Sequence, residues 1–347
     1  MDYQMNISKY ENKGYVGLAN LGNTCFLNSC VQVLNHTYEF HELLDGIKDK
    51  NQSKIDTTIL NEWIELRNLM WSGAGTLSPN KFVYNVQQIA RQKNRDIFTG
   101  WVQNDITEFL LFFIDCVHNS ISRKISLKIS GNPKNTTDEL AITCYKLLDS
   151  IYSKEYSEIM DLFYGIYVTS ITDLSNTKIH SMKPEHFFVL DLQIFAENRM
   201  FSNIYECFDL FTSPESMMNE NAWFNEKTQK KEDILRGVSF WSFPKILVIT
   251  LKRFSPDGNN KLNHVIQFPL ENLDLSKYVK GYQPQSYKYD LFGVCNHMGG
   301  VSGGHYTAYV KNATNQWIHY NDSSIEVIQN TTSIISPTAY CLFYRKK

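Results

Sequence analysis

Apolar positions recur at helical spacing along the first third of the chain. Beyond a glycine turn at residues 22–24, apolar residues follow at helical intervals, which predicts a helix that begins at or near Cys25. Two more apolar stretches, separated by a loop rich in glycine, serine and proline, predict further helices. We therefore expect residues 25–122 to be mostly helical. The two apolar faces are formed by Leu60, Trp63, Ile64, Leu66, Leu69 and Met70, and by Phe82, Val86, Ile89 and Ala90.

The second half of the chain has the pattern of β-strands. Aromatic and β-branched residues form short runs that are bounded by polar turns. Ahead of them, residues 123–157 show polar turns and a helical patch near Leu147 and Ile151, with no evident chemistry. The predicted strands are residues 165–170, 187–192, 246–251, 306–310, 317–320 and 339–344.

Cys25 is the candidate nucleophile. A cysteine at a helix N-terminus faces unpaired amide groups and the positive end of the helix dipole, which favour the thiolate over the thiol. We therefore expect the pKa of Cys25 to be lowered and its sulfur to be nucleophilic. Asn20, across the turn, could donate its amide to a developing oxyanion. The alternative is that Cys25 is a small buried core residue and Asn20 a turn former.

His305 is the candidate base. It directly precedes the first strand of a hairpin that the aromatic and β-branched residues predict near the C-terminus. A turn centred near residue 314 would place His305 opposite residues 321–323. Asn321 or Asp322 could then hydrogen-bond one imidazole nitrogen and leave the other to face the thiolate, as in nucleophile, base and orienter arrangements. The alternative is a structural histidine beside a strand.

A short acidic motif precedes an apolar run. Asp105 and Glu108 have the spacing of a capping box ahead of residues 109–114. In such a box the two side chains cap the first turn of a helix. The residues alone therefore predict a helix start and no chemistry.

Composition and charge limit the class of protein. The chain has 347 residues, of which 43% are hydrophobic and 14% aromatic, and this supports a substantial core and argues against disorder. The length fits two average domains or one large domain with subregions. A formal net charge of -2 gives no electrostatic reason to expect nucleic acid or an anionic membrane as a partner.

Cysteine usage points to a reducing compartment. The seven cysteines are an odd number at irregular spacings, without a C-x-x-C pair. This pattern argues against a disulfide framework and against a complete four-cysteine zinc site. Residues 1–13 are polar and show no secretory signal, and the longest apolar run, residues 109–117, is too short to span a bilayer. We expect an intracellular protein, cytoplasmic or nuclear, without membrane association.

Taken together, these stretches resemble the ubiquitin-specific proteases, a family of cysteine deubiquitinases. Residues 17–32 are similar to the family's cysteine box, and residues 303–322 are similar to its histidine box. Between them, residues 103–109 resemble its acidic motif, and residues 243–254 and 268–270 resemble its palm segments. The matches occur in the family's order and extend over nearly the whole chain.

The resemblance implies an α+β, papain-like cysteine protease fold with a helical thumb, a β-rich palm and extended β fingers. It implies an N-terminal tail at residues 1–14 and a single catalytic domain over residues 15–347. The thumb would span about residues 15–122, the fingers about residues 160–237, and the palm about residues 238–347 with contributions from the middle region.

The resemblance also implies a mechanism of thiol proteolysis without a cofactor. Cys25 would attack the carbonyl that joins the ubiquitin C-terminus to a lysine amine, and His305 would take and return the proton. Asn321 would orient His305. Asn20 would stabilise the oxyanion, and Asp322 would assist. Water would then release free ubiquitin from the thioester.

Substrate contacts are implied at two places. Asp105 and Glu108 match family positions that bind the basic, extended C-terminal tail of ubiquitin, and carboxylates that face arginine make charge-assisted bonds. Gly304 and Tyr306 lie where the family has the channel for the Gly-Gly end of that tail.

Residues 296–304 are rich in glycine and match a mobile loop of the family. Glycine lets the backbone approach a ligand closely and move at low steric cost. The composition is equally consistent with a flexible connection. His297 lies in this stretch, and we expect that it is not the base because it lacks a hairpin partner.

In the family, the fingers commonly hold a zinc ion between two C-x-x-C pairs. The corresponding positions here are Thr172 with Ser175 and Phe224 with Lys227, and none of them is a useful zinc ligand. Two isolated histidines nearby, without thiolates, are more often structural. We expect fingers that contain no metal and are held by packing.

The expected partners are ubiquitin and ubiquitinated proteins, and the expected state is a monomer. Two alternatives stay open: a protease for another ubiquitin-like modifier, and a catalytically silent ubiquitin-binding module. In the first, only the acidic contacts and the fingers would differ. The intact Cys25, His305 and Asn321 argue against the second.

Overall fold

The fold combines a helical N-terminal part with a sheet-rich C-terminal part. The computed structural model describes residues 6–47, 50, 54–95, 98, 104–196, 199–255, 259–300 and 303–347. The helices are α1 (Cys25–Asn35), α2 (Tyr38–Gly46), α3 (Asp56–Ser72), α4 (Asn80–Gln92), α5 (Ile106–Ile121), α6 (Thr136–Tyr152), α7 (Glu158–Phe163) and α8 (Ile204–Thr212). The first strands are β1 (Val16–Leu18), β2 (Gly75–Leu77), β3 (Gly165–Asp173), β4 (Ile179–Phe187), β5 (Val189–Gln193), β6 (Phe195–Ala196), β7 (Arg199–Met200), β8 (Glu215–Met217) and β9 (Trp223–Asn225). The remaining strands are β10 (Lys230–Glu232), β11 (Ile234–Ser242), β12 (Ile246–Lys252), β13 (Leu273–Asp274), β14 (Lys288–Gly300), β15 (Gly303–Lys311), β16 (Trp317–Asn321), β17 (Ser324–Ile328) and β18 (Ala339–Lys346).

Helices α1 to α5 confirm the prediction that residues 25–122 are mostly helical. Their shared core is aromatic: the rings of Trp63 and Phe113 lie 5.1 Å apart, and those of Phe109 and Phe113 lie 6.0 Å apart. Such offset and edge contacts contribute beyond the area that they bury. Among the described residues, no helix combines the length and the apolarity that crossing a bilayer requires.

Leu69 departs from the predicted apolar face of α3. It is 48% exposed, whereas Leu66 and Met70 are buried. Successive residues of a helix are rotated by about 100°. Because Leu66 and Met70 define the stripe that packs inward, the neighbouring Leu69 points to solvent.

A long mixed sheet has the strand order β17-β16-β15-β14-β18-β12-β5, and β13 pairs with β14. Strands β12 and β5 run parallel, and the other pairs in this order are antiparallel. In β12, Ile246 and Val248 face the core that includes α1, while Leu247 and Ile249 face a second core on the opposite side. The sheet is therefore covered on both faces, which explains the nearly continuous apolar sequence of this strand.

Helix α1 lies directly on strands β14 and β15. At Gly293 an added Cβ would overlap the side chain of Val33, so the close approach of helix and strand requires glycine there. This packing fixes the start of α1 relative to the start of β15.

A second sheet has the order β4-β3-β11-β8, and the hairpin β9–β10 lies beside it. Helix α6 packs on β4 and is longer than the short helical patch predicted near Leu147 and Ile151. Its start is capped by Asn135, whose side-chain oxygen accepts from the N–H of Asp138 (2.9 Å). The buried residues of α6 are few, so its apolar periodicity is weak in the sequence.

Candidate active site

Cys25 is the first residue of α1, as predicted. The turn before it has left-handed backbone at Gly22 (φ +92°) and Asn23 (φ +54°). The side-chain oxygen of Asn20 accepts from the N–H groups of Gly22 (3.0 Å) and Thr24 (3.2 Å) and so ties the turn together. Asn20 is therefore a turn former, and its side-chain nitrogen is left to make other contacts.

The pKa of Cys25 contradicts the expectation of a lowered value. Burial raises the pKa of the thiol, since only 2% of the residue is exposed. The N–H of Tyr306 lowers it, the carboxylate of Asp322 raises it, and the amides at the start of α1 lower it. The prediction considered the helix terminus and not the burial, and loss of solvation outweighs the favourable amides.

His305 is the third residue of β15, the first strand of the predicted hairpin, and so lies within the strand and not directly before it. Strands β15 and β16 pair Ala308 with Tyr320 and Lys311 with Trp317, so the turn is centred on residue 314 as predicted. The imidazole Nε2–H donates to the side-chain oxygen of Asn321 (2.6 Å). Of the two partners that the sequence left open, Asn321 is therefore the one that orients the ring. Its bond to Nε2 leaves Nδ1 as the nitrogen with a lone pair.

The backbone brings Cys25 and His305 to the same place. The sulfur of Cys25 accepts a hydrogen bond from the N–H of Tyr306, the residue next to His305. Because α1 packs on β15, this contact is built into the fold. A thiol from near one terminus thus contacts the backbone amide that directly follows a histidine from near the other.

The Asp322 carboxylate is bonded by two asparagine side chains. It accepts from the side-chain amides of Asn20 (3.0 Å) and Asn28 (2.8 Å). Asn28 is a site residue that the sequence analysis missed. The available signal was a polar residue one helical turn after Cys25, on the same face of the predicted helix as the candidate nucleophile.

Asp105 is the N-cap of α5. One carboxylate oxygen accepts from the N–H groups of Thr107 (2.7 Å) and Glu108 (3.3 Å), and the other accepts from the hydroxyl of Tyr340 (2.7 Å). Partial burial raises the pKa of Glu108, and the negative charge of Asp105 raises it further. The predicted helix start is confirmed. Gln103, which belongs to the same motif, lies outside the described residues.

The glycine-rich stretch before His305 is mostly a hairpin and not the loop that was expected. Strand β14 continues to Gly300 and pairs with β15, so that His297 lies opposite Tyr306. The expectation that His297 lacks a hairpin partner was therefore wrong, because backbone pairing persists through the glycines. Burial, together with the cation of Lys261, lowers the pKa of His297 to about 4, so that its ring stays neutral. Residues 301–302 lie outside the described residues.

Gly304 and Tyr306 are both close to His297. A Cβ at Gly304 would overlap the carbonyl oxygen of Met298 and the imidazole of His297, which explains the glycine. The ring of Tyr306 lies 4.7 Å from that imidazole and is almost fully buried. Both residues thus pack against His297, on the strand beside His305.

The positions that would hold zinc in the fingers do not fit the metal. They are Thr172, Ser175, Phe224 and Lys227, which offer no thiolate or imidazole. Within the described ranges, no group of three or more histidine, cysteine, aspartate or glutamate residues is placed to bind a metal. Hydrogen bonds close the first turn instead, since the Asp173 carboxylate accepts from the N–H groups of Thr177 (2.7 Å) and Lys178 (2.9 Å).

A cysteine at a helix start, beside a histidine that an asparagine orients, is the arrangement of thiol hydrolases. The family model described as ubiquitin carboxyl-terminal hydrolase matches residues 16–344. The chain therefore belongs to the ubiquitin carboxyl-terminal hydrolase family.

Relatives with known names support this membership. The chain is 31% identical over 345 residues to ubiquitin carboxyl-terminal hydrolase 2 of Homo sapiens and covers 96% of its own length but 55% of that protein. It is 31% identical over 343 residues to the Gallus gallus protein of the same name, of which it covers 93%. The chain thus spans about half the length of the human relative and nearly all of the chicken one.

Solved structures show the same fold. The SAGA Ubp8/Sgf11/Sus1/Sgf73 DUB module bound to ubiquitin aldehyde contains a chain that matches with a TM-score of 0.74 at 24% identity. The match covers 97% of this chain and 70% of that one. The α+β fold predicted from the sequence is confirmed.

Proposed function

We propose that this chain is a thiol-dependent deubiquitinase, which hydrolyses the isopeptide or peptide bond after the C-terminal glycine of ubiquitin. The proposal rests on the hydrogen bond from the His305 imidazole to Asn321. The sulfur of Cys25 lies beside this pair, since it contacts the backbone amide of Tyr306, the residue after His305. Membership of the ubiquitin carboxyl-terminal hydrolase family supports the choice of substrate.

The first step is attack by the sulfur of Cys25. Because burial raises the pKa of Cys25, the proton leaves the sulfur as the new carbon–sulfur bond forms. Nδ1 of His305 takes that proton, since its Nε2 is held by Asn321. The imidazolium then gives the proton to the leaving lysine amine, and a thioester remains on Cys25. Water, deprotonated by the same imidazole, attacks the thioester, and the carbon–sulfur bond breaks as the imidazolium returns the proton to the sulfur of Cys25. Ubiquitin leaves with a free carboxylate.

Asn20 is the proposed oxyanion donor. Its side-chain nitrogen carries two N–H groups, and one of them is bonded to Asp322 (3.0 Å). The second N–H, together with the backbone amide of Cys25, would bind the negative oxygen of the tetrahedral intermediate. Donors of this kind contribute a factor of about 10²–10³ to the rate. These steps consume only water and need no cofactor.

Asp105 and Glu108 are the proposed contacts for the basic tail of ubiquitin, and Gly304 and Tyr306 line the proposed channel for its Gly-Gly end. We further propose that the helical part is the thumb, the second sheet the fingers and the long mixed sheet the palm of one catalytic domain. The proposed state is an intracellular monomer, and the seven free cysteines support a reducing compartment.

A panel of ubiquitin-like proteins with C-terminal electrophiles tests the substrate. The purified chain and its Cys25→Ala variant are each incubated with every member, and adducts are detected by mass. Labelling of the wild-type chain by ubiquitin, absent in Cys25→Ala, supports the proposal. Labelling only by another modifier would identify a protease for that modifier, and no labelling would indicate a silent binding module.

A further inference from the structure

Asp322 has an unusual backbone conformation. It is the first residue of the two-residue turn between β16 and β17, because Asn321 pairs with Ser324. Its φ is +50°, in the left-handed region that two-residue hairpin turns require at this position and that glycine, asparagine and aspartate adopt most readily. A non-glycine residue in that region stores backbone strain, which the surrounding contacts must offset.

Three donors hold Asp322 in place. The N–H of Leu18 donates to its carbonyl oxygen (2.9 Å). The side-chain amides of Asn28 and Asn20 donate to separate carboxylate oxygens, at 2.8 Å and 3.0 Å. Hydrogen bonds to a carboxylate are roughly twice as strong as those between neutral groups. The turn that contains Asn321 is therefore fixed through its neighbour.

Asn28 connects this turn to the chain that leads to Asn20. It is 2% exposed and lies one helical turn after Cys25. Besides Asp322, its side-chain nitrogen is within 3.4 Å of the carbonyl oxygen of Leu18 and 3.3 Å of that of Ala19. The amide of Asn28 thus contacts the backbone that directly precedes Asn20 and also the carboxylate to which the Asn20 side chain is bonded.

The side-chain oxygen of Asn28 carries a cost for stability. This oxygen is buried and accepts no hydrogen bond from the described residues. A buried acceptor without a partner is destabilising, and an apolar residue of similar size would avoid that cost. The amide offsets this cost through its two N–H groups, which bond the Asp322 carboxylate and the backbone carbonyl oxygens of Leu18 and Ala19.

We propose that Asn28 is a positioning residue for the hydrolysis: it holds the Asp322 carboxylate and the Leu18–Ala19 carbonyls so that the amide of Asn20 faces the oxyanion. This inference rests on the proposed function. It predicts that Asn28 affects the step that forms an oxyanion and leaves the reactivity of the thiol itself unchanged.

The test compares two reactions of the same cysteine. Hydrolysis of ubiquitin 7-amido-4-methylcoumarin passes through an oxyanion, whereas alkylation of Cys25 by iodoacetamide does not. For Asn28→Leu we expect kcat to fall about 10–100-fold with KM within about threefold of wild type, because a misplaced group costs rates of this order. The pH profile of alkylation at Cys25, followed by peptide mass, should match the wild type. Asn28→Ser serves as a second variant if Asn28→Leu does not fold.

Exchanging the acidic and amide side chains of residues 28 and 322 gives a more specific test. Asn28→Asp places two carboxylates against each other and should lower kcat further than Asn28→Leu. Adding Asp322→Asn restores a donor and an acceptor across the same gap, so the double variant should recover about tenfold relative to Asn28→Asp. The matched control is Asn35→Leu, which removes a fully buried amide from the same helix and should leave kcat unchanged.

Each outcome has one meaning. Loss of hydrolysis with intact alkylation, and recovery in the double variant, support the positioning role. Unchanged hydrolysis, or hydrolysis and alkylation that fall in parallel, would overturn it while the proposed function stands. If the folded wild-type chain does not hydrolyse the ubiquitin substrate, the proposed function fails and this inference fails with it.

Discussion

The hydroxyl of Tyr340 donates a 2.7 Å hydrogen bond to the carboxylate of Asp105 and so joins the last strand to the start of α5. The same carboxylate caps α5 through its other oxygen. Both oxygens of Asp105 are therefore held in a fixed orientation. A carboxylate fixed in this way can present one face to a basic peptide without losing side-chain entropy on binding.

Tyr340→Phe tests whether that orientation serves the substrate. We expect the free energy of unfolding to fall by about 1 kcal/mol, the usual net value of one hydrogen bond. We also expect KM for a ubiquitin substrate to rise several-fold, because the carboxylate is no longer held. Urea denaturation and steady-state kinetics measure the two effects.

Tyr344→Phe is the matched control for this variant. Its hydroxyl donates to the carbonyl oxygen of Pro269 (2.8 Å) from the same strand and away from the site. It should lose similar stability without any change in KM. If both variants leave KM unchanged, Asp105 is a helix cap and not a substrate contact.

Gly17→Ala should impair both stability and activity. An added Cβ would overlap the carbonyl of Ser323 and push β1 away from the turn that contains Asp322. Overpacking of this kind costs about 1–3 kcal/mol. Gly46→Ala is the control, because nothing lies within 4 Å of its Cβ position. Thermal denaturation and kcat are compared; a Gly17→Ala variant as active and stable as Gly46→Ala would contradict the packing.

His36 should make the protein sensitive to acid. Burial lowers its pKa to about 4 from 6.5, and its Nδ1 bonds to the carbonyl of Gln32 (2.9 Å). The folded state keeps the ring neutral while the unfolded chain takes up a proton below pH 6.5. The stability from this residue is therefore complete above pH 6.5 and is lost as the pH falls towards 4.

Urea denaturation at pH 7 and pH 4.5 measures this effect. Between pH 7 and pH 4.5, the free energy of unfolding of the wild-type chain should fall by roughly 2 kcal/mol more than that of His36→Asn. This variant retains a donor near the position of Nδ1. Tyr38→Phe, in the same aromatic cluster, should keep the wild-type pH dependence. An identical pH dependence for wild type and His36→Asn would show that another group titrates.

The turn that the Asp173 carboxylate closes, at one of the positions where the family commonly binds zinc, should be independent of metal. A chelator such as 1,10-phenanthroline should leave the melting temperature unchanged. Asp173→Ala should increase deuterium uptake over residues 171–180, because the carboxylate accepts two backbone N–H groups there. The pKa of Asp173 is held well below its usual range by these bonds, chiefly that of Lys178, so the turn should also loosen as the pH falls through the acidic range. A chelator-induced drop in melting temperature would show that a metal is bound.

Local patterns in the sequence predicted the elements that present the chemistry. The helical spacing after Cys25 placed it at a helix start, and the hairpin turn placed His305 opposite residues 321–323. Both predictions follow from local backbone geometry, which neighbouring residues in the sequence determine without contacts from distant segments.

Tertiary contacts determined what the sequence did not predict. The raised pKa of Cys25 depends on burial under distant segments, and the role of Asn28 depends on a carboxylate far along the chain. The hairpin through His297 depends on pairing that outweighs the flexibility of its glycines. Periodicity carries no information on any of these contacts.

The central claim is that the sulfur of Cys25, served by His305, forms the covalent intermediate. Rapid acid quench of a reaction with a ubiquitin C-terminal ester, followed by peptide mass analysis, identifies the acylated residue among the seven cysteines. We predict a thioester on Cys25 in the wild-type chain, and in His305→Ala a rate of acylation lower by about 10²–10⁴. A thioester on another cysteine, or turnover that is unaffected by His305→Ala, would contradict the account.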